Sequence, residues 1–127
     1  MNIHIQTIPH NQQKYPTVGD YFETPDSQEI RVSEMGDWRY EFLVALHEMI
    51  ELALVTEQGI KIEDIETFDK KFEKEREAGL HAEDEEPGDD PGAPYHEQHV
   101  FAECLERMAA LKLKVDWNHY TKTVMGL

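Results

Sequence analysis

His47, Glu48 and Glu51 interrupt a stretch, residues 42–55, in which the other eleven of fourteen positions are apolar or alanine. A helix that is apolar on nearly every side is normally buried. Buried ionisable groups are costly unless they are paired, hydrogen-bonded or bound to a metal. His47 and Glu51 are four apart, so they share one face one turn from each other. Glu48 lies about 100° round the helix from His47. A second set, His96, His99 and Glu103, has three- and four-residue spacings that make neighbours on a helix surface. A histidine and a carboxylate one turn apart can grip a single ion. Two such pairs facing each other would make a mixed nitrogen/oxygen site for Zn, Mn or Fe. The candidate ligands are therefore His47, Glu51, His96, His99 and Glu103. The plainer reading pairs Glu51 with Arg39, Arg107 or Lys112 and makes His47 a neutral core histidine. His4, His10, His81 and His119 are isolated and are expected at the surface.

These side chains need elements to hold them. Ile3 and Ile5 alternate with polar residues, as in a strand. Residues 15–23 read as an extended segment entering a strand, and 29–33 alternate again, with Thr24-Pro-Asp-Ser27 as the turn between them. The expectation is a small antiparallel sheet of two or three strands within residues 1–35. Asp37 is a good N-cap for a central helix ending near Gln58, with Gly59 as its stop. A surface helix over 62–78 carries Ile62, Ile65, Phe68 and Phe72 on one face. Residues 81–94 hold three prolines and two glycines, which forbid helix, and read as an ordered acidic loop. Pro94 opens a helix to about Leu113, with Val100, Phe101, Cys104, Leu105, Met108 and Leu111 as its core stripe. Asp116 caps a last short helix, and the C-terminal helices together cover residues 95–125. The fold class is α+β: one domain, a sheet followed by three or four helices.

The chain has 127 residues and a formal net charge of −15, from 27 acids and 12 bases. That balance opposes binding to nucleic-acid phosphates or anionic membranes. Six of the acids fall within residues 83–90 and read as a solvated loop without the calcium-loop spacing. The single cysteine, Cys104, excludes an intrachain disulfide and a Cys-rich zinc site, and is expected to be buried and inert. No apolar run reaches the ~18 residues of a membrane span. The N-terminal residues lack a basic region followed by an apolar stretch. The reading is a cytoplasmic protein with an unknown protein or peptide partner. It is a monomer or a homodimer, since Tyr21 and Trp117 are expected to be exposed.

Residues 45–51, Ala-Leu-His-Glu-Met-Ile-Glu, resemble the active helix of zincin metallopeptidases, whose signature is HExxH. The resemblance implies His47 as a zinc ligand and Glu48 as the general base that activates metal-bound water. It also implies that the strand from Ile30 to Ser33 is an edge strand bordering a substrate cleft. Glu51 replaces the second histidine, which adds negative charge and lowers the ion's Lewis acidity. The third ligand would come from His96, His99 or Glu103. Most of the chain also resembles small uncharacterised phage and prophage proteins, through Tyr15 to Asp20, Val32 to Glu41, the HExxE helix and Pro87 to Pro91. That similarity implies a compact domain and a loop with a fixed role, but no known activity. It leaves open a phage accessory protein in which the His/Glu cluster is structural. A third resemblance is to MazG-type nucleotide pyrophosphohydrolases. It rests on Glu48 and Glu51, with Glu103 and Glu106 imperfectly matching the later acidic helix, and it implies Mg²⁺.

Overall fold

In the computed structural model, which describes residues 1–127, the chain is α+β. A three-stranded sheet, β1 (Ile3–Ile8), β2 (Gly19–Glu23) and β3 (Gln28–Ser33), precedes four helices. These are α1 (Trp38–Glu57), α2 (Ile62–Glu77), α3 (His96–Lys112) and α4 (Trp117–Met125). Short 3-10 turns lie at His10–Gln12 and Pro87–Asp89.

The sheet departs from the expected antiparallel form. β2 and β3 make the predicted hairpin, with Tyr21 opposite Ile30, but β1 pairs parallel to β3, which therefore lies in the middle and is not the edge strand that the zincin resemblance implies. The cause is the connection after β1. His10 bonds the Ser33 hydroxyl at 2.8 Å, and the Gln13 amide donates to the carbonyls of Val18 and Arg31. These contacts tie residues 9–18 to β3 and return the chain on its far side. Alternation then decides the faces. Ile30 and Val32 are fully buried within the main core, alongside Leu43, Val44, Leu52 and Val55 of α1.

The Asp37 carboxylate caps α1 by accepting from Arg39 N–H at 3.0 Å. Gly59, at φ +69°, ends the helix, and Ile60 N–H returns to the Val55 carbonyl at 2.9 Å. Gly19 lets β2 approach α1 closely. A Cβ there would sit 2.7 Å from Val44 Cγ1 and 2.9 Å from Glu48 Cγ. α2 buries Ile65 and Phe72, and half-buries Ile62 and Phe68. Arg76 of α2 donates to the Glu83 carbonyl at 2.6 Å and the Glu85 carbonyl at 2.5 Å, which fixes the course of the acidic loop.

α3 presents the reverse of the expected stripe. Its buried residues are Gln98, His99, Ala102, Glu106 and Ala110. Val100, Phe101, Met108 and Leu111 are exposed, as is Cys104. Hydrophobicity did not choose the buried face of this helix. α3 packs on α1, and α1 offers it His47 and Glu51. Polar and small residues are what such a surface accepts. Tyr21, expected to be exposed, is buried, with its hydroxyl on Glu51.

Candidate metal centre

Three ligand atoms converge where α1 and α3 meet. His47 Nε2 is 3.0 Å from Glu51 Oε2 and 3.2 Å from His99 Nδ1, and His99 Nδ1 is 3.1 Å from the same Glu51 oxygen. All three residues are buried. His47 and Glu51 meet through their one-turn spacing on α1. His99 comes from α3, and its imidazole lies edge-on to that of His47, with ring centroids 4.8 Å apart.

The outward-facing nitrogens are held as well. His47 Nδ1 donates to Glu106 Oε1 at 2.7 Å, and Glu106 Oε2 accepts from the Tyr120 hydroxyl at 2.6 Å. His99 Nε2 lies 3.1 Å from both Asp89 Oδ1 and Glu86 Oε2. Glu51 Oε1 accepts from the Tyr21 hydroxyl at 2.8 Å, leaving Oε2 for the two imidazoles. These bonds assign the tautomers. A nitrogen that donates outward to a carboxylate leaves the lone pair of the other nitrogen pointing inward. Carboxylates behind ligating histidines are the usual outer support of a metal site, fixing ring orientation and raising basicity. With neutral rings the inward group is three acceptor atoms about 3 Å apart that one metal ion could share, and with protonated rings both inward nitrogens donate to Glu51 Oε2.

The electrostatics of the metal-free cluster agree. Burial lowers the His47 pKa, but its bonds to Glu106 and Glu51 outweigh that and carry it to about 11. Burial likewise opposes the charge on His99, and its bonds to Glu51 and Glu86 carry it to about 10. Burial raises Glu51, and the two imidazoles more than reverse this, to about 2. Protons therefore occupy the position, and a metal ion would have to displace them.

Glu48 occupies a different environment. It is partly buried beneath Gly19, and unlike Glu51 and Glu106 it receives no tyrosine hydroxyl. Burial, then the Glu51 charge, push its carboxyl well above the usual range. Asp20 rises to about 6 and Asp69 to about 7, burial being the first cause of each. Asp69 accepts from the Tyr95 hydroxyl at 2.7 Å.

The structure brings together three of the five proposed ligands. His96 is turned away, with Nδ1 on the Gly88 carbonyl at 2.9 Å. Glu103 is partly exposed and joins neither the His47, Glu51 and His99 group nor the Glu86, Asp89 and His99 group. None of the cations suggested for Glu51 reaches it: Arg39 pairs with Asp37, and Arg107 lies over the Trp117 ring. Of the histidines expected at the surface, His4 and His119 are exposed. His10 is half-buried against the Ser33 hydroxyl, and His81 is half-buried, stacked on Phe72 at 3.9 Å and bonded to Glu75.

Sequence reasoning missed Glu106, Tyr120, Tyr21, Asp89 and Glu86 as supporting groups. A signal existed for Glu106. It lies seven residues, or two turns, after His99, with Ala102 and Ala110 along the same line. Asp89 and Glu86 reach His99 because Gly88 lies against its ring. A Cβ on Gly88 would fall 2.4 Å from His99 Cγ. No protein-family model, curated protein or solved structure significantly matches the chain.

Proposed function

We propose that this protein binds one divalent transition-metal ion, with zinc favoured over Mn or Fe, through His47 Nε2, Glu51 Oε2 and His99 Nδ1. The observation that carries the reading is the pair of outer supports. Glu106 stands behind His47, Asp89 and Glu86 stand behind His99, and the inner atoms lie 3.0–3.2 Å apart. Two imidazoles and a carboxylate form a ligand set familiar in catalytic zinc sites, with a fourth position left for water or substrate. Mg²⁺ prefers oxygen ligands, so a pyrophosphohydrolase centre is the poorer fit.

Within this reading the chemistry is metal-assisted hydrolysis. The ion would lower the pKa of bound water, and Glu48 would take its proton. Glu48 suits a base because it neighbours His47 and Glu51 and is not locked by a tyrosine. Burial raises its carboxyl pKa, which makes the carboxylate a stronger proton acceptor. The resemblance of residues 47–51 to the zincin helix favours the same role and a peptide-type substrate.

A structural centre is the second reading. Its support is burial: His47, Glu51 and His99 are 8%, 4% and 5% exposed. On that reading the protein is an accessory or interaction protein. Glu48→Gln separates the two. Zinc uptake and melting temperature should survive while hydrolysis of a generic peptide or ester probe by the zinc-loaded protein is lost. Wild-type protein that binds zinc but hydrolyses no such probe, with Glu48→Gln identical to it, would favour the structural centre.

A further inference from the structure

α3 turns its polar face inward, so its apolar face is outside. Phe101, Cys104, Met108 and Leu111 follow one another at intervals of three, four and three residues. That is the spacing of a helix–helix seam. Phe101 is 52% exposed, Met108 64% and Leu111 79%, and Val100 flanks them at 41%. The line runs opposite the face that carries His99, Ala102 and Glu106. A contiguous apolar strip of this kind marks an interaction surface more often than a free one.

Charge selects the occupant. The exposed first turn of α3 carries Glu97, and its exposed last turn and exit carry Lys112 and Lys114. Against a second copy running antiparallel, Glu97 meets the lysines of its mate at both ends, and the helix dipoles oppose favourably. In that register Phe101 faces Leu111, and Cys104 faces Met108. A parallel pair would instead stack like charges. It would also bring together the two acidic 83–90 loops, which lie just before α3 and hold six of the chain's 27 acids. The antiparallel pair sends these loops to opposite ends, beyond the ~8–10 Å over which salt leaves charges unscreened. Arg107, midway along the helix, is engaged 4.6 Å over the Trp117 ring.

We infer that the exposed face of α3 pairs antiparallel with the same face of a second copy, giving a twofold homodimer. Each subunit keeps its own metal centre on the opposite side of the helix. The inference stands whether or not the centre is catalytic.

Sedimentation velocity on the full chain tests it. Wild type is expected to be dimeric at micromolar concentration. Met108→Glu should be monomeric, with unchanged zinc content and melting temperature, because the side chain is exposed in the folded subunit. Lys112→Glu should raise the dimer dissociation constant roughly tenfold at low salt, and Glu97→Lys in the same chain should restore it. Wild type that stays monomeric to high micromolar concentration, even while its apolar face binds a hydrophobic dye, would overturn the homodimer and leave that face to another protein. A dimer unaffected by Met108→Glu would overturn the interface. A charge pair that fails to rescue would overturn the antiparallel orientation.

Discussion

α1 and α3 each carry a histidine and a glutamate four residues apart, and the two pairs have opposite fates. His47 and Glu51 both enter the buried cluster, whereas His99 enters and Glu103 stays at the edge. The spacing is the same, so spacing did not decide. On α1 the pair sits in a helix apolar around most of its circumference, with the sheet on one side and α3 on another. Both residues fall within its broad buried face, with Tyr40, Leu43, Val44, Leu52 and Val55, whereas Phe42 and Ala53 on its other side are exposed. α3 has one buried line only, through His99, Ala102, Glu106 and Ala110. The residue that shares the inward face with His99 is two turns on: Glu106. A one-turn pair converges on one cluster when both residues fall within the packed face. On a half-exposed helix the packed face must be known first.

The largest expected effect comes from breaking that contrast directly. His99→Ala should reduce zinc affinity by more than the ~10–100-fold typical of losing an outer support. Glu103→Ala should leave it unchanged, as measured by competition with a chromophoric chelator. Equal losses would put Glu103 in the site.

Glu106→Gln should come next. It keeps the volume but removes the charge behind His47, and should cost about 10–100-fold in zinc affinity. Tyr120→Phe, one bond further out, should preserve zinc binding and lower stability by about 1.5–3 kcal/mol, the range for a hydrogen bond to a charged group. Denaturant unfolding would measure it.

Gly88→Ala tests the other histidine. The added methyl would meet the His99 ring, so the ring or the 86–89 turn must shift. Such overpacking costs about 1–3 kcal/mol. It should lower zinc affinity while Gly92→Ala, whose Cβ would meet only Asp90 Oδ1 at 3.2 Å, should have a much smaller effect.

The smallest effect lies where α2 borders the site. Asp69 of α2 faces the Tyr95 hydroxyl, with Glu51 from α1, Asp20 from β2 and Glu73 on its own helix adding negative charge. Its pKa is about 7 when folded, against an unfolded value near 3.9. Between these values the folded state holds the extra proton, so this group's contribution to stability falls as pH rises toward about 7. Asp69→Asn should flatten the decline of melting temperature between pH 5 and about 7.5, beyond which the slope from this group ends.

Much of the fold was legible locally. Asp37, Gly59, Pro94 and Asp116 lie within a residue or two of the helix boundaries they predicted, because caps and breakers act on their own backbone. The Thr24 to Ser27 turn gave the β2–β3 hairpin for the same reason. The parallel β1–β3 pairing was not legible, since it depends on where His10 and Gln13 find partners across the sheet. His47 and Glu51 stood out because they interrupt an apolar helix. Glu106 and His99 did not stand out as a pair. A hydrophobicity pattern assigns the apolar face of α3 to the core, and here α1 presents a polar surface that inverts the choice. Asp89 and Glu86 were read as solvated acids. Their proximity to His99 depends on the packing of Gly88, which a charge run does not reveal.

The most direct test is elemental analysis of tag-free protein after exposure to zinc and removal of excess ion, comparing wild type with His47→Ala/His99→Ala. One equivalent per chain in wild type, absent from the double mutant, is the predicted result. No retained metal in wild type, or equal metal in both proteins, would contradict the site and leave the cluster a hydrogen-bonded polar network held together by protons.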